Sequence, residues 1–209
     1  MKRIFAAALL LLSAPVWAQK EKAFTLQTGD LIFQDLDCGE MCDAIEAVTQ
    51  GYDGKHFSHM GLVKRSGDQV MVIEAIGKGV QMIPLDSFSQ RTKNKMYVGR
   101  VGKVYAPLAA KAVAFALKQL GTPYDDAFGY NNGKYYCSEL VYDAFLHANK
   151  GKPFFHLEPM TFKQPGSDEY FPVWIKYYRQ LGVAIPEGKP GCNPGGLSRS
   201  DKITILGAL

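Results

Sequence analysis

The sequence predicts an α+β domain with antiparallel strands in its first half and helices mainly after them. Short apolar, β-branched runs broken by turn residues lie between Leu31 and Val104. Ala-rich and apolar-periodic stretches follow, from Pro107 to Ala148. The 209 residues are 47% hydrophobic and 21% charged. That is an ordinary globular balance, enough to bury one core, and no repeat or low-complexity linker points to a second.

The first eighteen residues stand apart. Lys2 and Arg3 precede an apolar run from Ile4 to Leu12, and Val16-Trp17-Ala18 ends on a small residue. This is the pattern of a cleaved secretory signal peptide, too short to span a bilayer comfortably. No cysteine stands at the cleavage point to suggest a lipid anchor. Residues 1–18 are therefore assigned to the signal and 19–209 to the domain, with a periplasmic or secreted location expected.

Thr28-Gly29-Asp30 leads into the strand candidate Leu31-Ile32-Phe33, and residues 41–49 read as a short helix. Strands are expected over 57–63 and 70–75, around a turn from Lys64 to Gln69. Two more are expected over 80–84 and 96–104. Pro107 starts a helix that runs to Leu120 and stops at Gly121. A turn at Thr122-Pro123-Tyr124-Asp125 precedes a second helix, from Cys137 to about Ala148. From Lys150 onward the periodicity is weak, and Ile203 to Leu206 reads as a last strand.

The formal net charge of +4 falls to +2 once Lys2 and Arg3 are removed. Such a balance gives no electrostatic case for nucleic acid. The basic cluster Arg91-Thr92-Lys93-Asn94-Lys95 reads as a solvated turn. The four cysteines are Cys38, Cys42, Cys137 and Cys192. Export permits disulfides. If Cys137 is a reactive thiol, the other three form at most one bridge, and a link from Cys192 to Cys38 or Cys42 is one of the open pairings.

The chemistry gathers around Tyr136-Cys137-Ser138-Glu139-Leu140-Val141. A cysteine in the first turn of a helix sits among free N–H groups at the positive end of the dipole, which favours thiolate. Cys137, Leu140, Val141, Ala144, Phe145 and Ala148 share one apolar face, with Glu139, Asp143 and Asn149 off it. Cys137 thus points inward, toward a sheet. The bland reading is a buried structural cysteine, a common use of that residue.

A candidate base lies upstream. A tight turn at Ser66-Gly67 pairs residues whose numbers sum to 133, setting His59 opposite Glu74. Opposed residues share a sheet face with Cβ atoms about 4.5–5.5 Å apart. A carboxylate there accepts the imidazole N–H and fixes the tautomer, as the third member of a triad does. A one-residue slip would put Glu74 on the other face; the plain alternative is an edge-strand Glu74 in solvent. His56 is a rival base. His56 and His59, or Cys38 and Cys42, match no standard zinc spacing, and neither a metal nor a cofactor is expected. His147 and His156 read as structural or solvent-facing.

The order of His59, Glu74 and Cys137 reverses the cysteine-then-histidine order of papain. Together with Gly29-Asp30-Leu31-Ile32-Phe33, Val72-Ile73-Glu74-Ala75 and Leu120-Gly121-Thr122-Pro123-Tyr124-Asp125, it resembles the permuted papain-like enzymes of the NlpC/P60 superfamily, the YiiX/YaeF-like amidase group. The resemblance runs over about residues 28 to 148. It implies a cysteine helix packed on a small antiparallel sheet or barrel, with Cys137 as nucleophile, His59 as base and Glu74 as orienting acid. Tyr124 is implied as a residue of the substrate cleft.

The expected function is an exported cysteine hydrolase that cleaves amides through a thioester, with peptidoglycan stem peptides as the natural substrate of a periplasmic amidase. One alternative keeps the triad and acts on lipid or N-acyl bonds, as an amidase, thioesterase or acyltransferase. Phe128, Tyr130, Tyr135 and Tyr136 are then candidates for an acyl pocket, with ordinary core or rim residues the commoner reading. Another is an exported binding protein with a structural Cys137.

Overall fold

The alternating strands of the first half pair around the apolar run Leu31–Gln34. In a computed structural model, which describes residues 24–209, that run is strand β1. It is followed by helix α1 (Glu40–Val48), β2 (His59–Ser66), β3 (Gln69–Ile76) and β4 (Gly79–Pro84). Helix α2 (Leu85–Ser89), β5 (Tyr97–Val101), α3 (Ala106–Lys118) and α4 (Cys137–Ala148) come next. The last part holds β6 (Glu158–Pro159), α5 (Pro172–Leu181), β7 (Pro190–Gly191), α6 (Pro194–Ser198) and β8 (Ile203–Ala208). The proposed signal segment lies outside the described residues.

Six strands form one antiparallel sheet in the order β4-β3-β2-β1-β5-β8. Strand alternation gives it two buried faces. Phe33, Met60, Leu62, Ile73 and Ala75 point to α3 and α4, where Ala112, Ala116, Leu140 and Ala144 meet them. Ile32, Val63, Val72 and Val98 point the other way, onto Phe88 of α2 and Met96. Each such Leu, Ile or Phe contributes about 1.5–3 kcal/mol when fully buried. Alanines on the buried side of α3 let it lie close to α4, and Pro107 sits in the first turn of α3 as expected.

The β2–β3 hairpin differs from the sequence expectation in register. Ser66 pairs with Gln69 and Val63 with Val72, so paired numbers sum to 135. The turn is Gly67-Asp68, with Gly67 at φ 60°. A positive φ at the first central position alone is what a type II′ turn demands, and glycine meets it without strain. The two-residue shift leaves Glu74 on the face of His59, one pair diagonal instead of opposite, because the side-chain period is two.

The late region is more ordered than its sequence suggested. Helix α5 buries only Trp174 and Tyr178, one turn apart, so its periodic signal is a single pair in a polar, aromatic stretch. Strands β6 and β7 are two residues each, below the length at which alternation is readable. The single disulfide among the described residues is Cys38–Cys42, with Cα atoms 5.2 Å apart, and Cys192 is a free buried thiol. A separation of four places Cys38 just before α1 and Cys42 within it, so the bridge is local and does not reach Cys192.

Candidate active site

Cys137 is the first residue of α4, preceded by an extended Tyr136 whose side chain makes no cap bond. The first-turn N–H groups therefore point outward from the helix start. The turn is strapped from behind. The Tyr136 hydroxyl accepts the Cys192 N–H at 3.1 Å, and Ser138 Oγ donates to the Cys192 carbonyl at 3.0 Å. This fixes the helix start against the segment between β7 and α6. Burial and neighbouring Glu139 and Cys137 push the Cys192 thiol up, out of the range in which it ionises, against weaker help from Ser138 and Tyr136. It is a packed thiol and not a rival nucleophile.

His59 and Cys137 meet at one end of the sheet. By parity His59 belongs with Gly61 and Val63, on the face that carries Phe88, not with Met60 and Leu62, which face α4. Cys137 belongs to the core on the α4 side, so it does not pack onto the face that bears His59. The two come together because each is the first residue of its element, β2 and α4, and both line one cavity. His59 Nε2 lies 2.7 Å from Glu74 Oε2, and Cys137 neighbours the ring on the wall of the shared cavity. Burial alone would lower the imidazole, but Cys137 and Glu74 outweigh it and raise His59 to about 9. That shift favours the imidazolium form of the ring.

Glu74 is fully buried, and both of its oxygens are occupied. Gln81 Nε2 donates to Oε1 at 2.9 Å, while His59 and Arg91 Nη1 share Oε2. Burial pushes the carboxyl up, yet His59, Arg91 and Gln81 together bring it down to about 2. The solvated-turn reading of residues 91–95 is thus wrong for Arg91: its guanidinium turns inward to Glu74 and lies 5.8 Å over the Phe88 ring. No spacing rule marks this contact, since Arg91 follows a short helix and reaches back to β3. Gln81 was legible in principle, because it pairs directly with Glu74 across β3–β4.

Glu139 also departs from expectation. It sits off the apolar stripe of α4, yet it is fully buried under residues 125–135. Asn131 N–H donates to its Oε1 at 3.0 Å, and Oε2 has no hydrogen-bond partner among the described residues. Burial, with Asp143 and Asp125 nearby, raises this carboxyl to about 8 against the pull of the Asn131 N–H. Asp125 holds the other end of the same loop, accepting the Ala127 and Gly129 N–H groups at 3.1 and 2.5 Å.

That loop forms one wall of a cavity of about 620 Å³ that opens on Cys137 and His59. Tyr124 lines it, and burial and the Cys137 sulfur push its phenol up, so it stays protonated. Phe128 and Tyr136 line it as well; Tyr130 and Tyr135 do not, and face Asp143 instead. The opposite wall comes from Met41, Ala44 and Ile45 of α1 and from Phe162 and Trp174. His56 is exposed, 3.7 Å from Glu46, and is no rival base for Cys137. His147 and His156 are exposed too.

A helix-borne thiol, a strand-borne imidazole and a buried carboxylate on an antiparallel sheet, met in the order His, Glu, Cys, define a papain-like fold with its chain order permuted. The chain belongs to the permuted papain-like amidase family YaeF/YiiX, C92, whose model matches residues 25–207. It is 31% identical over 150 residues to the uncharacterized protein YiiX of Escherichia coli K12, covering 71% of this chain and 69% of that protein. It is also similar to a crystal structure of the metalloprotein YiiX from Escherichia coli O157:H7, DUF1105. That match has a TM-score of 0.70 and 26% identity, and covers 88% of this chain and 97% of the other. Here, no three His, Cys, Asp or Glu side chains among the described residues converge as a ligand set. His59 Nε2 and both oxygens of Glu74 are already taken by protein partners, so the site residues do not fit a metal.

Proposed function

We propose that this chain is an exported cysteine amidase in which Cys137 is the nucleophile, His59 the proton carrier and Glu74 the acid that orients it. The observation that carries the reading is His59 itself, held between the Cys137 sulfur and Glu74 at 2.7 Å at the mouth of the cavity. The Cys137 thiolate attacks the amide carbonyl, forming a C–S bond and an oxyanion that the Cys137 N–H meets. The His59 imidazolium gives its proton to the departing nitrogen as the C–N bond breaks, leaving a thioester and a neutral imidazole. Water then adds to the thioester as His59 takes its proton, and the thiolate leaves. The Cys38–Cys42 bridge supports the exported location, since disulfides persist outside the reducing cytosol. Among the described residues, no helix is long and apolar enough to cross a membrane.

Two substrate classes follow from the sequence, peptidoglycan stem peptides and N-acyl or lipid amides. The cavity favours the second. Among the described residues, its charged lining besides His59 is Asp126, Glu158 and Arg199, against the wide apolar wall of α1, Phe128, Phe162 and Trp174. A stem peptide brings several charges that would lose water there without partners, whereas an acyl chain is stabilised by about 0.8 kcal/mol per buried methylene.

The test is hydrolysis of an N-acyl amide series of rising chain length beside purified peptidoglycan, with fragments identified by mass. Cys137→Ala should abolish release, and kcat/KM should climb with chain length. Undiminished activity of Cys137→Ala would sink the enzymatic reading. Muropeptide release without acyl-amide cleavage would return the substrate to stem peptides. An unreactive Cys137 toward iodoacetamide at neutral pH would favour a binding protein.

A further inference from the structure

We infer that Arg91 is a positioning residue of the thiol–imidazole–carboxylate array, a permanent counter-charge that keeps Glu74 ionised through both protonation states of His59. The inference rests on the amidase reading above, because it assigns Arg91 a part in the proton cycle of His59. Arg91 Nη1 and His59 Nε2 donate to the same oxygen, Oε2 of Glu74. The Arg91 guanidinium and the His59 ring also lie against one buried aromatic. The guanidinium lies 5.8 Å from the Phe88 ring and the imidazole 5.7 Å from it.

The need for a second cation follows from the cycle. While His59 is an imidazolium, Glu74 has a charged partner. Once His59 has passed its proton to the leaving group, that partner is neutral. A fully buried carboxylate would then keep only a neutral N–H and the Gln81 amide. A buried carboxylate without a counter-charge takes up a proton instead. Glu74 would become the nearest acceptor for the proton His59 must carry. A guanidinium keeps its charge throughout, so Arg91 can balance Glu74 in both halves of the cycle.

The groups that face His59 and Glu74 are Cys137 from α4, Glu74 itself from β3, Arg91 beyond α2 and the neutral Gln81 from β4. Tyr124 faces Cys137 and stays protonated. This gives the proposal a signed consequence. Arg91 repels the imidazolium proton that Glu74 attracts. Removing the cation should let His59 hold its proton to higher pH, and removing the anion should do the reverse.

The experiment is the pH dependence of Cys137 alkylation by iodoacetamide, which needs no substrate, followed by mass on the intact protein. The upper inflection marks loss of the imidazolium proton. In Arg91→Gln it should move up by about one pH unit, the size of losing one partly screened charge across a shared oxygen. In Glu74→Gln it should move down, and Arg91→Lys should return it toward wild type. Arg91→Met, which keeps an apolar chain of similar length, replaces Arg91→Gln if the latter does not fold by circular dichroism. If Arg91→Gln and Arg91→Met leave the inflection in place while Glu74→Gln shifts it, Arg91 is an ordinary surface ion pair and the inference is overturned. If the wild-type protein shows no thiolate reactivity at neutral pH, the amidase reading itself has failed, which is a separate result.

Discussion

Glu139→Gln should remove a pH dependence of stability that the wild-type fold carries. The carboxyl is fully buried in the first turn of α4, one oxygen holds the Asn131 N–H, and the other has no partner. Burial, with Asp143 and Asp125, raises it from 4.5 to about 8. The native state therefore holds this proton where the unfolded chain has lost it. Stability is full below about pH 4.5, and falls as pH rises until the native carboxyl itself ionises near 8. The slope is about 1.4 kcal/mol per pH unit, so the loss reaches about 3 kcal/mol at pH 7 and about 5 kcal/mol at the upper limit.

Glutamine copies the protonated carboxyl in shape and keeps an oxygen for Asn131. Any fixed cost of its amide is independent of pH, and all other titrations are common to both proteins and cancel. The assay is guanidinium unfolding of both proteins at pH 5, 6, 7 and 8, with the disulfide intact. The stability difference, variant minus wild type, should grow by more than 2 kcal/mol across that range, as about one proton per molecule requires. Parallel curves from pH 5 to 8 would refute the reasoning, and would mean that Glu139 is ionised in the native state.

Two further predictions concern the frame around the site. A Cβ at Gly61 would stand 2.3 Å from Val72 Cγ1 and 3.1 Å from the Phe88 ring. Gly61→Ala should therefore overpack the sheet by about 1–3 kcal/mol, read as a lowered denaturant midpoint; an unchanged midpoint would show that Val72 yields freely. The Cys38–Cys42 bridge closes a loop of sequence separation four, for which chain entropy gives about 2 kcal/mol. Reductant should lower the midpoint of wild type and leave Cys38→Ala unmoved, whereas equal sensitivity of the two would place the redox effect elsewhere.

The hairpin shows why part of the site was legible in the sequence. The turn was misplaced by one residue at each end, yet His59 and Glu74 still met, because a register error of two preserves the face. Cys137 was legible from apolar spacing and from the first-turn position, both local properties of α4. Arg91 was not. Its contact depends on where α2 lays the chain over β3 and β4, which no periodicity encodes. Glu139 misled for a related reason. It lies off the apolar stripe of its helix, but the loop carrying Asn131 folds over that side. Helix α5 escaped notice because its burial is a single aromatic pair.

On the amidase reading, the placement of these parts separates the proton chemistry from the choice of substrate. His59, Glu74, Gln81 and Phe88 sit in or against the central sheet, with neighbours on both sides, and Arg91 closes over them. Their geometry is tied to strand register, so a change there disturbs the charge balance as a whole. The cavity wall has another origin. Met41, Ala44 and Ile45 of α1 pack with Phe162, Trp174 and Tyr178 in a small core of their own, apart from the sheet. Helix α1 is pinned by its own disulfide and helix α5 by its aromatic pair. Residues in this outer layer can change size and polarity without touching the imidazole–carboxylate pair. Substitution in the wall should thus move KM and chain-length preference, while substitution around Glu74 should move the pH profile, and that division makes the two readings of this protein separable by experiment.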